Sequence, residues 1–403
     1  MPGPLEGVKI VELAHWVAVP AAMAILSDWG ATVVKIEDPR SGDAARGLAG
    51  MGIYPFPLPT STVFEMDNRN KRSIALDLRS DKGRAVVYRL AEDADVFATN
   101  FEPAVLKRFG LEYDDLAQVN RRLVYLSLSG YGERGPERER PGYDYSAYWA
   151  RSGIMATLGE PDAPPVGPRP GIGDHATSMM ITGAVTAALL YREKTGLGQK
   201  VSTALVHCGM WQLGADITTT AITGQEIPRT SRRAPGNVLA GYYETGDGQW
   251  IQLAMPQADR YWPTFCRAIG RLDLERDPRF SSLAARRENA AVLVAILDGI
   301  FLTKTRAAWG TLLDSHGCVW GKIQATVEVV ADEQLWENGF LTKVEHASLG
   351  EITLIAAPGT FSRTPGAVRS AAPETGQHTE EVLLEAGYSW DDLADLKEGG
   401  AIL

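Results

Sequence analysis

The chain has 403 residues with a formal net charge of −10, and its 45% hydrophobic and 22% charged residues are typical of a water-soluble globular protein. The acidic excess argues against a nucleic-acid binder, which needs a basic face, but it leaves room for a local basic groove for a phosphorylated ligand. Three cysteines without CxxC spacing indicate neither a disulfide framework nor a zinc site. Without a signal pattern, or an uncharged run of the roughly 20 residues that cross a bilayer, we expect a cytoplasmic protein.

The first half of the chain alternates strand and helix patterns. Strands are predicted at residues 8–13, 31–37, 72–78, 95–100 and 123–129, and helices at 20–29 and 82–94. This alternation predicts an α/β fold with a parallel, doubly wound sheet of the Rossmann type. In such sheets ligands bind at the carboxyl ends of the strands.

The pattern changes after about residue 225, where hairpin and helix signals replace the alternation. The predicted elements are an Asp-Gly hairpin at 241–253, helices at 259–269 and 284–302, a strand at 352–355 and helices at 379–386 and 390–396. We therefore predict a large Rossmann-like domain at 1–225 and a smaller α+β domain at 226–330. The segment 331–403 is expected to pack back on the large domain.

The turn after the first strand argues against dinucleotide binding. Residues 14–22 contain no glycine, whereas Gly-x-Gly-x-x-Gly needs glycines for its tight turn and for the approach of pyrophosphate. There is no Walker-type phosphate loop, no Gly-x-Ser-x-Gly elbow and no metal-ligand spacing among the histidines. We therefore expect neither NAD nor a metal. His15, in this turn, is equally consistent with a packing residue and a ligand contact.

A Pro/Gly-rich loop at 169–174 carries Asp174 to the start of a long, largely uncharged helix. Asp174 is therefore a candidate N-cap, since its oxygen can accept backbone N–H groups of the first turn. Because Gly171 and Gly173 leave room for a ligand, a covalent nucleophile is the alternative. His175 points about 100° away on the helix and is expected to be solvent-facing or locally bonded.

Several motifs follow one another along the chain, at residues 4–13, 26–37, 70–78, 95–101, 173–174, 195–200 and 376–383. Together they resemble the class III CoA-transferases, the CaiB/BaiF family, which includes formyl-CoA and carnitine CoA-transferases and α-methylacyl-CoA racemases. The resemblance runs nearly end to end. It implies an interlocked homodimer of chains with a Rossmann-like large domain and a small domain. The implied partners are acyl-CoA and carboxylate substrates, with no nucleic acid and no membrane.

The resemblance also implies a mechanism, because the carboxylate matching Asp174 is the nucleophile of the transferases. It would attack an acyl-CoA thioester to form a mixed anhydride and then carry CoA as an aspartyl thioester. Gly173 and the helix N-terminus are expected to supply backbone N–H groups to the oxyanion. Asp144 would assist Asp174 or orient the substrate, with a structural role as the alternative.

By position, the resemblance implies contacts with coenzyme A near the first, third and fourth strands. The residues are His15, Ala18, Asn100, Phe101 and Arg108, with Leu76 and Arg79 as weaker candidates. Each arginine is equally well explained as a solvated charge. The family commonly has a basic residue beside the Glu of the second strand, but here Asp38 occupies that place, and Arg40 or Arg46 would have to substitute.

The tripeptide Gly142-Tyr143-Asp144 bears on the choice between transferase and racemase. Racemase-type members typically carry Gly-His-Asp there, and the histidine forms an acid/base pair with the aspartate. Tyr143 is a poor replacement, because a phenol ionises only at about pH 10. A transferase is favoured, and a racemase-like enzyme or a CoA-binding protein without transfer activity are the alternatives.

The neighbouring residues indicate an apolar substrate. Val17 stands where oxalate-handling members have glutamine, which argues against a small dicarboxylate. Residues 145–153 resemble transferases acting on aryl- or branched-chain 2-hydroxy acids. Candidate walls of an acyl pocket, although large aromatic residues more often lie in a core, are Trp16, Tyr148, Trp149 and Trp211. We expect a hydrophobic monocarboxylate.

Overall fold

In the computed structural model, which describes residues 2–403, short buried strands alternate with helices over the first half of the chain. The elements are β1 (Lys9–Leu13), α1 (Ala18–Asp28), β2 (Thr32–Glu37), α2 (Thr62–Asn68), β3 (Arg72–Ala75), α3 (Asp81–Glu92), β4 (Val96–Thr99), α4 (Pro103–Phe109), α5 (Tyr113–Val119), β5 (Val124–Ser129), α6 (Ile154–Thr157), α7 (Ile172–Thr195), β6 (Lys200–Ala204), α8 (Leu205–Gln212) and α9 (Gly214–Thr223). The five predicted strands and the α/β class are confirmed.

These strands form one parallel sheet in the order β3-β2-β1-β4-β5-β6. The chain runs outward in one direction from β1 to β3 and then returns to place β4 on the other side of β1. The crevice between the carboxyl ends of β1 and β4 is therefore the topological switch point, where doubly wound sheets bind ligands. The edge strand β6 was not predicted from the sequence, because four of its five residues are at least partly exposed.

Helices cover both faces of the sheet. On one face α1, whose residues are all buried, lies between the strands and α7, and Met23, Val33 and Ile181 belong to its core. On the other face Val86, Phe97 and other apolar residues pack with the C-terminal part of the chain. Burial on both faces explains the continuous apolar runs of these strands.

The following part of the chain has its own core of aromatic residues, including Trp262, Phe265, Phe301 and Trp309. Its elements are β7 (Tyr242–Glu244), β8 (Trp250–Leu253), α10 (Ala258–Ala268), α11 (Leu272–Arg276), α12 (Leu283–Glu288), α13 (Ala290–Phe301), α14 (Arg306–Ser315), β9 (Trp320–Ile323) and α15 (Thr326–Val330). The predicted hairpin is β7–β8. The single helix predicted at 284–302 is instead two helices, which meet at Asn289.

The C-terminal part packs on the parallel sheet. It contains α16 (Glu333–Glu337), the antiparallel hairpin β10 (Leu341–His346) and β11 (Gly350–Ile355), α17 (Thr379–Glu385) and α18 (Trp390–Glu398). The backbone N–H of Ala75 in β3 donates to Thr379 Oγ1 at 3.0 Å, and Leu76 pairs with Ile402. Along residues 2–403, no helix is both long and apolar enough to cross a membrane.

By its contacts the chain divides into two compact units. One comprises the residues up to Met155, Gly167–Thr223 and Gln334–Leu403, and the other comprises Ala156–Val166 and Gly224–Glu333. The domain boundaries predicted at 225/226 and 330/331 stay a prediction.

Candidate active site

The turns after β1 and β4 are joined by two hydrogen bonds at the switch point. The backbone N–H of His15 donates to Asn100 Oδ1 at 3.0 Å, and Asn100 Nδ2 donates to the His15 carbonyl oxygen at 2.7 Å. The His15 ring also packs against Phe101, with ring centroids 4.7 Å apart. One amide side chain therefore sets the relative position of the two turns.

A cavity of about 350 Å³ opens beside these turns. Its walls come from the turn after β1, the loop after β4, the end of β5 with the loop that follows, and the starts of α7 and α8. The lining residues include His15, Trp16, Val17, Ala18, Asn100, Phe101, Arg138, Arg140, Tyr143, Asp144 and Asp174. The cavity therefore lies at the carboxyl ends of the strands, as the fold class predicts.

Asp174 is the third residue of α7, so the expectation that it forms the N-cap is wrong. The helix begins at Ile172, and Gly171 precedes it with a left-handed φ of 83°, which glycine adopts without strain. Within the helix, the half-buried Asp174 carboxyl group lines the cavity.

The carboxylate that accepts from the start of α7 belongs to Asp144, the first residue of a π-helix, Asp144–Arg151. Asp144 Oδ2 accepts the backbone N–H of Gly171 at 2.9 Å, whereas the buried Asp144 Oδ1 has no hydrogen-bond partner among residues 2–403. Asp144 therefore holds the Gly171 N–H, and the expectation that Gly173 and the helix N-terminus supply N–H groups to an oxyanion stays a prediction.

Gly173 permits this close approach. A Cβ at this position would lie 2.2 Å from Asp144 Oδ1 and 2.3 Å from the ring of Tyr148. Real Cβ atoms do not come so close to other heavy atoms. A side chain at 173 would have to displace the carboxylate, the ring or the helix.

The two carboxyl groups influence each other's protonation. Burial and the negative charge of Asp144 together raise the pKa of Asp174 to about 7, although the positive charge of His175 opposes them. Burial also raises the pKa of Asp144, although the backbone N–H groups of Gly171, Asp174 and Gly173 counteract this shift. Desolvation and a like-charged neighbour are the ordinary causes of such shifts in carboxyl groups.

His175 is not among the residues that line the cavity, and its side chain is 35% exposed. The expectation of a local hydrogen bond is wrong, because His175 bonds to a distant part of the chain. Its Nε2 lies 3.0 Å from Oδ1 of the buried Asp67 in α2. Burial lowers the pKa of His175, but the hydrogen bond and charge of Asp67 outweigh burial, so the pKa is raised.

Four residues that the resemblance assigned to coenzyme A line the cavity, and three do not. His15, Ala18, Asn100 and Phe101 are in its wall. Leu76 is buried in the core, Arg79 pairs with Asp77 at 2.7 Å, and Arg108 lies 5.0 Å from the centre of the Phe109 ring. The assignment of all seven residues stays a prediction.

The basic residues of the cavity wall, Arg138 and Arg140, were not predicted from the sequence. Both are exposed and line the cavity. The alternating charges of residues 133–140 are the sequence feature that could have indicated this loop. Arg40 pairs with Asp38. Arg46 donates from Nε and Nη2 to the two oxygens of the Glu37 carboxylate.

Trp16 lines the cavity, whereas the other candidate aromatic residues lie elsewhere. Tyr148 is buried in the core with Trp149 packed against it, and 72% of Trp211 is exposed outside the cavity lining. Trp16 packs edge-to-face on Tyr143, which is 57% exposed on the same wall.

Comparisons with known proteins show the family of this chain. A family model described as CoA-transferase family III matches residues 5–379. The (R)-2-hydroxy-4-methylpentanoate CoA-transferase of Clostridioides difficile is 34% identical over 398 residues, which cover 99% of each chain. The cinnamoyl-CoA:phenyllactate CoA-transferase of Clostridium sporogenes is 32% identical, covering 99% of this chain and 97% of the relative.

A solved structure gives the same result for the fold. The crystal structure of a CaiB/BaiF family protein from Brucella suis superposes with a TM-score of 0.85 at 30% identity, covering 96% of this chain and all of the other. The chain therefore belongs to CoA-transferase family III and is a class III CoA-transferase.

Proposed function

We propose that this enzyme moves CoA from an acyl-CoA thioester to a free carboxylic acid with Asp174 as the covalent nucleophile. The observation that carries the proposal is the position of the Asp174 carboxyl group, which lines the cavity at the switch point of the sheet. Asp144 accepts the backbone N–H of Gly171 before α7, and the Asp174 carboxyl group lines the cavity, where an acyl group would approach it.

The reaction is a series of acyl exchanges in which each step forms one bond and breaks one. The Asp174 carboxylate attacks the thioester carbonyl, the C–S bond breaks, and CoA leaves as a thiolate from a mixed anhydride. The thiolate attacks the aspartyl carbonyl, which releases the donor acid and forms an aspartyl-CoA thioester. The acceptor carboxylate then repeats the two steps in reverse order, which regenerates Asp174.

For coenzyme A, we propose contacts at the switch point and with the basic loop. The His15, Asn100 and Phe101 side chains offer polar and stacking surfaces, and the exposed Arg138 and Arg140 offer positive charge for phosphate groups. Leu76, Arg79 and Arg108 stay predicted contacts by the resemblance alone.

The substrate that we propose is a hydrophobic monocarboxylate with a branched or aromatic side chain. Trp16 and Val17 give the cavity an apolar wall. Two relatives are named as CoA-transferases of a branched 2-hydroxy acid, (R)-2-hydroxy-4-methylpentanoate, and of phenyllactate. Tyr143, in the same wall, occupies the position where a racemase would need a second proton-transfer group.

A homodimer and a cytoplasmic location complete the proposal. None of the residues of α9, Gly214–Thr223, is buried, and Ile222 is 79% exposed. Exposed apolar residues that are grouped in this way mark interaction surfaces. The buried cysteines Cys208, Cys266 and Cys318 are free thiols, which suits a reducing compartment.

Trapping the intermediate tests the proposed function. The enzyme would be incubated with an acyl-CoA and then with hydroxylamine or borohydride, and peptides would be analysed by mass spectrometry. We expect modification at Asp174 and a loss of exchange of about 10⁴-fold in Asp174→Ala. The matched control is Asp391→Ala, which removes an exposed aspartate from the first turn of α18.

Two outcomes would contradict this function. Full exchange by Asp174→Ala would exclude Asp174 as the nucleophile. Incorporation of deuterium at the α-carbon without CoA exchange would favour the racemase instead.

A further inference from the structure

Trp16 has a backbone conformation that is rare for a residue with a large side chain. Its φ is 69°, in the left-handed region where Cβ is crowded by the backbone. Glycine adopts this conformation freely, but a tryptophan does so only where the surrounding structure imposes it. The turn between β1 and α1 must therefore be held by other residues.

Asp43 bonds directly to the backbone of this residue. Its Oδ1 accepts the N–H of Trp16 at 3.0 Å and the N–H of Ala45 at 2.8 Å. Its Oδ2 lies 2.8 Å from Nζ of the buried Lys35, and only 1% of Asp43 is exposed. Rotation of the carboxylate away from Trp16 would break a buried ion pair, which is strongly unfavourable.

The turn is held from its other side as well. Asn100, after β4, bonds to both the N–H and the carbonyl oxygen of His15, the residue before Trp16. Residues 15 and 16 are therefore fixed by side chains that come from two different loops.

The indole that this turn presents forms part of the cavity wall. Trp16 and Tyr143 pack edge-to-face, with ring centroids 6.2 Å apart and an interplanar angle of 89°. Both side chains line the same cavity as Asp174. A rigid aromatic pair at this place limits the width of a group that can reach the carboxylate.

We propose that Asp43 is a positioning residue that holds Trp16 in its left-handed conformation, and that the Trp16 indole sets the upper size of the acid accepted. The substrate class is then compact: branched-chain or single-ring carboxylic acids, with two-ring acids excluded. This inference rests on the proposed function, because the preference among acids is its readout.

Trp16→Gly tests the wall without disturbing the turn, since glycine adopts a φ of 69° without strain. We expect kcat/KM for a two-ring acid such as naphthylacetate, relative to 4-methylpentanoate, to rise about tenfold or more. The control is Trp390→Gly, which removes an exposed tryptophan at the start of α18. An unchanged ratio in Trp16→Gly would overturn the role of the indole.

Asp43 is tested both in the natural sequence and in the Trp16→Gly variant. In the natural sequence Asp43→Ala should lower kcat/KM about 100-fold, because the turn that carries Trp16 is displaced. Asp43→Asn keeps a carbonyl oxygen that can accept the Trp16 N–H, so it should recover most of this loss. In the Trp16→Gly background Asp43→Ala should cost much less, because glycine needs no support.

If Asp43→Ala lowers kcat/KM equally in the natural sequence and in the Trp16→Gly variant, the positioning role is overturned. Asp43 would then act only through its ion pair with Lys35. Thermal unfolding of every variant separates misfolding from repositioning.

Failure of this inference can be distinguished from failure of the proposed function. If Asp174→Ala is inactive while Trp16→Gly and Asp43→Ala match the parent enzyme, only this inference is wrong, whereas an active Asp174→Ala would contradict the proposed function itself.

Discussion

The carboxyl groups of Asp144 and Asp174 both lie at the start of α7 but make different contacts. Asp144 accepts the backbone N–H of Gly171, whereas Asp174 lies beside that negative charge and lines the cavity. In the proposed reaction the nucleophile must be ionised, so the environment of Asp174 also sets the pH at which it would react.

The pH dependence of kcat/KM should therefore report the protonation of Asp174. With its pKa raised to about 7, the carboxyl group is protonated below this pH and ionised above it. We expect kcat/KM to be about tenfold lower at pH 6 than on the alkaline plateau, since each pH unit below the pKa removes a factor of ten. Steady-state rates between pH 5.5 and 8.5 measure this, and a flat profile would contradict it.

Replacing the neighbouring charge should move that profile. Asp144→Asn keeps a carbonyl oxygen that can accept the Gly171 N–H but removes the negative charge that raises the pKa of Asp174. We expect the acid limb of kcat/KM to shift to lower pH, measured with the same assay. A limb that stays in place or moves to higher pH would show that the two carboxylates are not electrostatically coupled.

Gly173 should be intolerant of the smallest side chain. Gly173→Ala places a Cβ 2.2 Å from Asp144 Oδ1, so the carboxylate or the helix must move. Because small displacements of reacting groups are costly, we expect kcat/KM to fall about 100-fold. Gly183→Ala is the matched control in the same helix, since its Cβ meets nothing within 4 Å. Comparable activity of the two variants would contradict this prediction.

At the scale of elements, a buried ion-pair network joins β1, β2 and the residue before β3. Glu12 bonds to Lys35 at 2.8 Å and to Lys71 at 2.7 Å, and Lys35 also bonds to Asp43. Burial lowers the pKa of Lys71 to about 8, whereas the surrounding carboxylates outweigh burial and raise the pKa of Lys35. The network ties the central strands to the loop that positions Trp16.

Breaking this network should destabilise the protein strongly. Lys35→Met leaves the Glu12 and Asp43 carboxylates buried with less compensation, so we expect the free energy of unfolding to fall by about 3–5 kcal/mol. Urea denaturation measures this change. Lys82→Met, which removes an exposed pair with Asp395, should change stability by about 0–1 kcal/mol. Similar effects of the two substitutions would refute the role of burial.

At the scale of the whole molecule, the exposed apolar residues of α7, α8 and α9 predict self-association. Leu190, Trp211 and Ile222 are 57%, 72% and 79% exposed. Light scattering after size exclusion should give twice the 43.7 kDa mass of the chain, and Trp211→Glu with Ile222→Glu should lower the fraction of dimer that forms on refolding. A monomer at all concentrations would contradict the proposed homodimer.

Local pattern predicted the fold well where strands are buried on both faces. β1, β2, β4 and β5 are nearly continuous apolar runs for that reason. The edge strand β6, Lys200–Ala204, has mostly partly exposed residues and no such run, so it was missed. The division of α12 from α13 at Asn289 was missed because helical periodicity continues across it.

The sequence by itself determined the parallel α/β class, the family and the candidate nucleophile, because apolar periodicity and co-linear motifs are local properties of the chain. Only the tertiary structure decided the surroundings of Asp174 and of the cavity. It places Asp144 on the start of α7 and brings Asp43 to the N–H of Trp16. These contacts join residues 27 positions apart in each case, and they depend on how loops from different strands meet at one edge of the sheet, which no local pattern encodes.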